Sequence, residues 1–410
     1  DLLAPAPRAL TSAQPSGQGA LAWRRGGTGG PAAPVTIVVA NAGAIAVAVG
    51  DVTGDGRPDI VYATRDALSV LRGAGGGVFG NEVSQRLATE PLALRVADFD
   101  GDGQADVAVL SADGVRVYRG QADGGLGPPA AVEATSGAVV IDASDLDGDG
   151  RADLVIGRGN GSVAVRSGRA DGGFSAPVTL AAGTAVHALA IADVDRDGRR
   201  DIVVAARAPN GSAVLQVFRG TTGSGFATPL ARTLTQSSGS TVASLAIGDF
   251  NGDGLVDVAL IRDDIVRIVM GAGGGRLDTE YAFAIAGNAR VLNAGDVDGD
   301  GQIDLIATVD LTGVVTLLNK TQQWRSQSGN AGLSDADRVM NWAESVYPQY
   351  FPAPGSTGLY EGYRYRHYPG PNNYLATKDG RVIVHNGRDW NFLDVGALAD
   401  YLTLAIAAGF

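Results

Sequence analysis

Twenty-two of the 44 acidic residues in this chain fall in six short segments that share the frame D-x-(D/N/T)-x-D-G-x-x-D. In chain order these are Asp51–Asp59 (DVTGDGRPD), Asp98–Asp106 (DFDGDGQAD) and Asp145–Asp153 (DLDGDGRAD), then Asp193–Asp201 (DVDRDGRRD), Asp249–Asp257 (DFNGDGLVD) and Asp296–Asp304 (DVDGDGQID). They are numbered loops 1 to 6 below. Their starts lie 47, 47, 48, 56 and 47 residues apart, so the segments mark a repeated structural unit.

Oxygen ligands at positions 1, 3, 5 and 9, with a backbone carbonyl near position 7, suit a calcium ion, which takes six to eight hard oxygens in a flexible cage. Glycine at position 6 permits the sharp turn, because it accepts positive φ without steric cost. The candidate ligands are Asp51, Thr53, Asp55 and Asp59 in loop 1, and Asp98, Asp100, Asp102 and Asp106 in loop 2. Loop 3 offers Asp145, Asp147, Asp149 and Asp153, and loop 4 offers Asp193, Asp195, Asp197 and Asp201. Loop 5 offers Asp249, Asn251, Asp253 and Asp257, and loop 6 offers Asp296, Asp298, Asp300 and Asp304. Six structural Ca2+ ions would cancel the formal charge of −12. Without cations, three or four carboxylates packed together in each loop repel one another. The competing description is a solvated acidic turn. An EF-hand is a poorer fit, since it wants Glu at position 12 and flanking helices. Thr53 removes one charge and makes loop 1 the weakest site, whereas Asn251 is an ordinary calcium ligand.

The loops must be held by the segments around them. Apolar runs such as Ala44–Val49 and Leu245–Ile247 precede them, and Val107–Leu110 and Leu154–Ile156 follow. Both flanks read as short buried strands. A glycine-rich turn carrying Phe or Leu comes later in the repeat, as in Gly77-Val78-Phe79-Gly80, Gly125-Leu126-Gly127, Gly173-Phe174 and Gly225-Phe226. With these turns and the Asp loops, residues 20–321 resemble the FG-GAP/VCBS repeats of integrin-α-like proteins. The resemblance implies an all-β β-propeller of four-stranded blades, with calcium in the loop between the two innermost strands. It does not imply one function, since the family spans adhesion receptors, lectins and modules attached to enzymes.

About 25 strands can be counted, against 24 for six blades and 28 for seven. Six is preferred and seven is the alternative. On the six-blade reading Val35–Ala40 closes the last blade as its missing outer strand, and Ala20–Arg25 is left as an extra strand.

Residues 1–19 read as a flexible N-terminal segment and 322–332 as a polar linker. Residues 333–410 hold 13 of the 25 aromatic side chains and 8 of the 11 tyrosines, and read as a small α+β domain. Ser334 and Asp337 open a helix through Val346. Strands follow at Tyr360–Tyr368, Tyr374–Thr377 and Arg381–His385, and a second helix is expected over Val395–Ala408. This part resembles small domains at the C-terminal ends of secreted bacterial proteins. Tyr363, Tyr365, Tyr368, Tyr374 and Trp390 are candidates for a stacking surface, with filling of a small core as the alternative.

The negative charge excludes a nucleic-acid partner, which needs a basic stripe. No apolar run approaches 20 residues, so no helical transmembrane segment is expected. Cysteine is absent, which removes disulfides and thiol chemistry. No HExxH, GxSxG or P-loop occurs among the residues, and the three histidines, His187, His367 and His385, are scattered. The chain therefore reads as a binding protein and not an enzyme. Its start at Asp1, within a stretch rich in Ala, Pro, Gly and Ser, reads as a mature terminus after signal-peptide removal. The expectation is a secreted or cell-surface bacterial module, lectin- or adhesin-like, that binds a glycan or a surface protein. Trp23, Tyr118 and Phe218 are candidates to line clefts between blades. The alternative is a structural or assembly component whose C-terminal domain docks a partner or a second copy.

Overall fold

The computed structural model describes residues 43–309 with short interruptions. It also describes the strands at 2–5, 19–24, 35–39 and 313–317 and five strands between 356 and 397. Residues 1–248, 255–300 and 305–316 form one compact unit, and residues 249–254, 301–304 and 317–410 a second.

Seven antiparallel sheets form the repeat region. The first joins β1 (Leu2–Pro5), β2 (Gly19–Arg24) and β3 (Val35–Val39). Five four-stranded sheets follow, each with one of loops 1 to 5 between its first and second strands. They are β4 (Ala46–Gly50), β5 (Asp59–Ala63), β6 (Ala67–Gly75) and β7 (Val78–Arg86), then β8 (Pro91–Ala97), β9 (Asp106–Ser111), β10 (Gly114–Tyr118) and β11 (Ala130–Glu133). The third of these comprises β12 (Ala138–Ser144), β13 (Asp153–Arg158), β14 (Ser162–Arg166) and β15 (Val178–Ala181). The fourth comprises β16 (Ala185–Ala192), β17 (Asp201–Arg207), β18 (Ala213–Phe218) and β19 (Leu230–Thr233). The fifth comprises β20 (Val242–Gly248), β21 (Asp257–Arg262), β22 (Ile265–Gly273) and β23 (Arg276–Phe283). The last sheet joins β24 (Ala289–Gly295), β25 (Asp304–Val309) and β26 (Gly313–Leu317).

Sheet packing follows from the second strands, which are buried on both faces. In β9, Val107 and Val109 face the preceding sheet, while Ala108 and Leu110 face the following one. In β17, Ile202, Val204 and Ala206 face backward, and Val203 and Ala205 face forward. A strand rotates successive side chains to opposite faces, so a continuous apolar run glues one sheet to both neighbours. This is the packing of propeller blades.

Among the described residues the repeat region holds five four-stranded and two three-stranded sheets, and β3 does not join the last of them. It pairs with β2, whose other edge is covered by β1. The apolar Leu2-Leu3-Ala4 run supplies that cover, so part of the segment expected to be flexible is strand.

The C-terminal unit contains a five-stranded meander of β27 (Ser356–Tyr360), β28 (Tyr363–Tyr368), β29 (Asn373–Lys378), β30 (Arg381–Asn386) and β31 (Leu393–Ala397). Gly396 and Ala397 pair with Val382 and Arg381 in β31. The helix expected over 334–346, the linker 322–332 and residues 398–408 lie outside the described residues.

Candidate metal centre

Loops 1 to 5 are built by a repeated set of backbone contacts. The first aspartate caps the turn. The amides of the glycines at positions 4 and 6 donate to its two oxygens, as in Gly101 and Gly103 to Asp98 at 2.6 and 2.9 Å, and Gly148 and Gly150 to Asp145 at 2.7 and 2.9 Å. Loop 5 repeats this with Gly252 and Gly254 on Asp249. In loops 1 and 4, Gly56 and Gly198 donate to Asp51 and Asp193. The position-5 carboxylate accepts the amide two residues on, as Asp149 does from Arg151 at 2.9 Å. Asp55, Asp102 and Asp197 do the same for Arg57, Gln104 and Arg199. Position 3 is the third acceptor, with Asp100 and Asp147 receiving the amides of Asp102 and Asp149, both at 3.3 Å.

The ninth aspartate has a second task that the frame alone did not reveal. Asp59, Asp106, Asp153, Asp201 and Asp257 are almost fully buried. One oxygen accepts the amide at position 2, from Val52, Phe99, Leu146 and Val194 in loops 1 to 4. The other accepts the amide of a glycine at the end of the third strand, from Gly73, Gly120, Gly168, Gly220 and Gly271. A Cβ at Gly168 would lie 2.4 Å from the Phe99 carbonyl and 2.5 Å from the Ala152 carbonyl, so no other residue fits there. The sequence signal was the recurrence of glycine at this place in every one of these five repeats.

The carboxylates converge. Asp98, Asp100 and Asp106 each offer an oxygen within 4.8 Å of the others, as do Asp145, Asp147 and Asp153, and Asp193, Asp195 and Asp197. Two oxygens about 2.4 Å from a shared calcium ion can stand at most about 4.8 Å apart. The three clusters thus match the donor type and span of a hard divalent cation. Electrostatics agree. Burial pushes the Asp106 and Asp153 carboxyls up to about 6, and raises Asp201 as well. Burial also raises Asp100, with the charges of Asp102 and Asp98 adding to it and Arg119 opposing. A cation among these groups would offset the burial penalty.

Loop 1 is different, as its threonine implied. The Thr53 hydroxyl donates to Asp51 at 3.3 Å and does not add a carboxylate. In loop 5 Asn251 accepts the Asp253 amide, matching the position-3 role elsewhere. In loop 6 Asp304 is buried, while Asp298 and Asp300 lie outside the described residues.

Successive loops are tied to one another. The Ala105 amide of loop 2 donates to the Asp51 carbonyl of loop 1 at 2.8 Å, and Ala152 of loop 3 donates to the Asp98 carbonyl of loop 2 at 2.8 Å. Order in one loop is therefore passed to the next through backbone.

The other candidates fare differently. Tyr118 and Phe218 are buried between sheets and are packing residues, not cleft linings. Phe174 of the glycine-rich turn packs edge-on against Phe99 at 5.5 Å, and the turn itself is closed by the Gly168–Phe174 bridge. His187 sits at a bulge in β16 and is half-buried. In the C-terminal sheet Tyr363, Tyr365 and Tyr368 lie on β28, and Tyr374 lies on the adjacent β29, paired with His367. Trp390 lies outside the described residues.

The FG-GAP-like repeat profile matches residues 10–62, 51–109, 98–156, 145–204 and 249–307, more than half of the chain. The chain belongs to the FG-GAP-like repeat family. No curated protein matches it significantly. Among solved structures, this FG-GAP chain is similar to the BP39L lectin of Burkholderia pseudomallei, at 16% identity and a TM-score of 0.55, over 73% of this chain and 91% of the lectin. It is also similar to Sqt1 of Saccharomyces cerevisiae, at 14% identity and a TM-score of 0.50, over 73% and 76% of the two chains. Both likenesses concern the fold.

Proposed function

We propose that this FG-GAP protein is a secreted recognition module whose blades are stiffened by calcium and whose surface binds a glycan. The observation that carries this reading is the convergence of carboxylates in loops 2 to 4, with the Ala105 amide on the Asp51 carbonyl and the Ala152 amide on the Asp98 carbonyl tying loops 1, 2 and 3 together. A cation held in one loop would fix its turn and, through that bond, the next. A row of loops fixed in this way presents a preorganised surface, which lowers the entropy lost on binding. Calcium would be structural, taken by the carboxylates at positions 1, 3, 5 and 9, and would do no bond-making chemistry. Modules outside the cell bind calcium with Kd of about 10⁻⁴–10⁻³ M, a range that partly exposed loops suit. Glycans are the first ligand class to test because the Burkholderia pseudomallei lectin stands on the same fold.

The test is a glycan array probed with the whole chain, in calcium and in chelator. Binding to a coherent sugar set that needs calcium is the expected result. Failure to bind any sugar in either buffer, by protein shown to be folded, refutes the glycan reading and turns the search to protein partners.

A further inference from the structure

The residue just before the strand-end glycine that holds the ninth aspartate varies among the sheets. It is Arg72 before Gly73, Arg119 before Gly120, Ser167 before Gly168 and Arg219 before Gly220. Arg119 reaches into its own loop. Its Nη1 hydrogen-bonds Asp106 and lies 3.3 Å from Asp100, two of the three carboxylates of the loop 2 cluster. Its Nη2 donates to the Gly172 carbonyl in the glycine-rich turn of the next sheet. Arg219 repeats the arrangement. Its Nη1 is 3.7 Å from Asp195 of the loop 4 cluster, and its Cδ lies 2.8 Å from where a Cβ on Gly275 would stand, in the next sheet. Arg72 runs along Gly124 in the same way, its Cδ at 2.8 Å from the corresponding point. Arginine takes the path from acidic loop to neighbouring turn in three sheets, and the corresponding residues of the other two four-stranded sheets, Ser167 and Met270, carry no charge.

A guanidinium among the carboxylates is a fixed positive charge, always ionised, with a planar fork of donors. It lowers the negative potential that draws a divalent cation and occupies oxygens that the cation would need. Ser167 is neutral. The arginines at position 7 do not level this difference, because Arg151 of loop 3 pairs with Asp149, outside the Asp145, Asp147 and Asp153 cluster. Arg199 of loop 4 pairs with Asp197, inside its cluster, at 3.2 Å.

We propose that Arg119 and Arg219 are resident counter-cations of loops 2 and 4, and that Ser167 makes loop 3 the tightest calcium site among these three loops. The inference rests on the calcium reading of the loops. Loops 2 and 4 keep their turns through an ion pair with an arginine that reaches the next sheet, whereas loop 3 depends on the metal.

The test is calcium titration by calorimetry on the full chain, together with the fall in Tm on adding chelator, for wild type, Arg119→Ser, Arg119→Gln and Ser167→Arg. Arg119→Ser is expected to tighten one weak site at least about tenfold and to deepen the fall in Tm. Arg119→Gln preserves reach and hydrogen bonding but not charge, and is expected to tighten the same site even if the serine variant folds poorly. Ser167→Arg is expected to weaken the tightest site at least about tenfold and to shrink the fall in Tm. Wild type that binds calcium, with affinities that neither Arg119→Gln nor Ser167→Arg moves, overturns this inference and leaves the calcium reading intact. Wild type that binds no calcium overturns both.

Discussion

Replacing Asp153 by asparagine separates its two tasks, because the two shapes are nearly identical and only the charge and one acceptor are lost. In the folded chain Asp153 is fully buried, and accepts the Gly168 and Leu146 amides at 3.0 and 2.9 Å. An asparagine keeps one of these bonds and turns an NH2 group toward the other donor, at a cost of about 1–3 kcal/mol. In chelator the charge works the other way. Burial lifts the carboxyl from its ordinary 3.8 to about 6, so holding it ionised at neutral pH costs about 3 kcal/mol. A raised carboxyl contributes stability below 3.8 and loses it as pH rises through 6, and asparagine is free of that loss. The two terms nearly cancel, and Asp153→Asn in chelator is expected to lie within about 2 kcal/mol of wild type. In saturating calcium the balance shifts. A site filled at about 100 times its Kd adds about 2.7 kcal/mol, and weakening it about a hundredfold removes most of that. Urea denaturation of both proteins in both buffers is the assay. The variant should lose about 2 kcal/mol more in calcium than in chelator. Equal losses in the two buffers would show that Asp153 acts through its hydrogen bonds alone.

Two further outcomes follow from the geometry. Gly168→Ala drives a methyl into the Phe99 and Ala152 carbonyls and should cost more than about 3 kcal/mol, whereas Gly148→Ala meets open space and should cost only the strain of its φ of +82°, about 1–2 kcal/mol; denaturation midpoints of the two variants check the order, and a reversed order would contradict the packing. Burial, with the Arg207 charge second, holds the His187 imidazole below its ordinary 6.5, so its contribution is present above that pH and lost as pH falls through the lower folded value; His187→Gln should flatten the decline in stability between about pH 7 and pH 5, and parallel curves for the two proteins would count against it.

The loops and their flanking strands were legible in the sequence because both signals are local. Six copies of an Asp-Gly frame fix the turn, and apolar runs like Leu154–Ile156 fix a buried strand. The pairing of the N-terminal strands was not legible, because β1 meets β2 across a 13-residue interval with no turn signature of its own. The ninth aspartate was read as a ligand like the others. Its tie to Gly120 or Gly168 depends on how a third strand folds back over the loop, which spacing alone does not express. Arg119 was invisible as a member of the loop 2 cluster for the same reason, since it lies 13 residues beyond Asp106. Tyr118 and Phe218 could have been surface or core by sequence, and the packing of neighbouring sheets decided for core.

Equilibrium dialysis of the purified chain against saturating calcium, with the bound metal counted by mass spectrometry, tests the central claim most directly. The three convergent clusters set a minimum of three ions per chain and the six loops a maximum of six. A count in that range, falling when Asp145 and Asp147 are both changed to alanine, is the predicted result. A folded chain that retains no calcium would contradict the account.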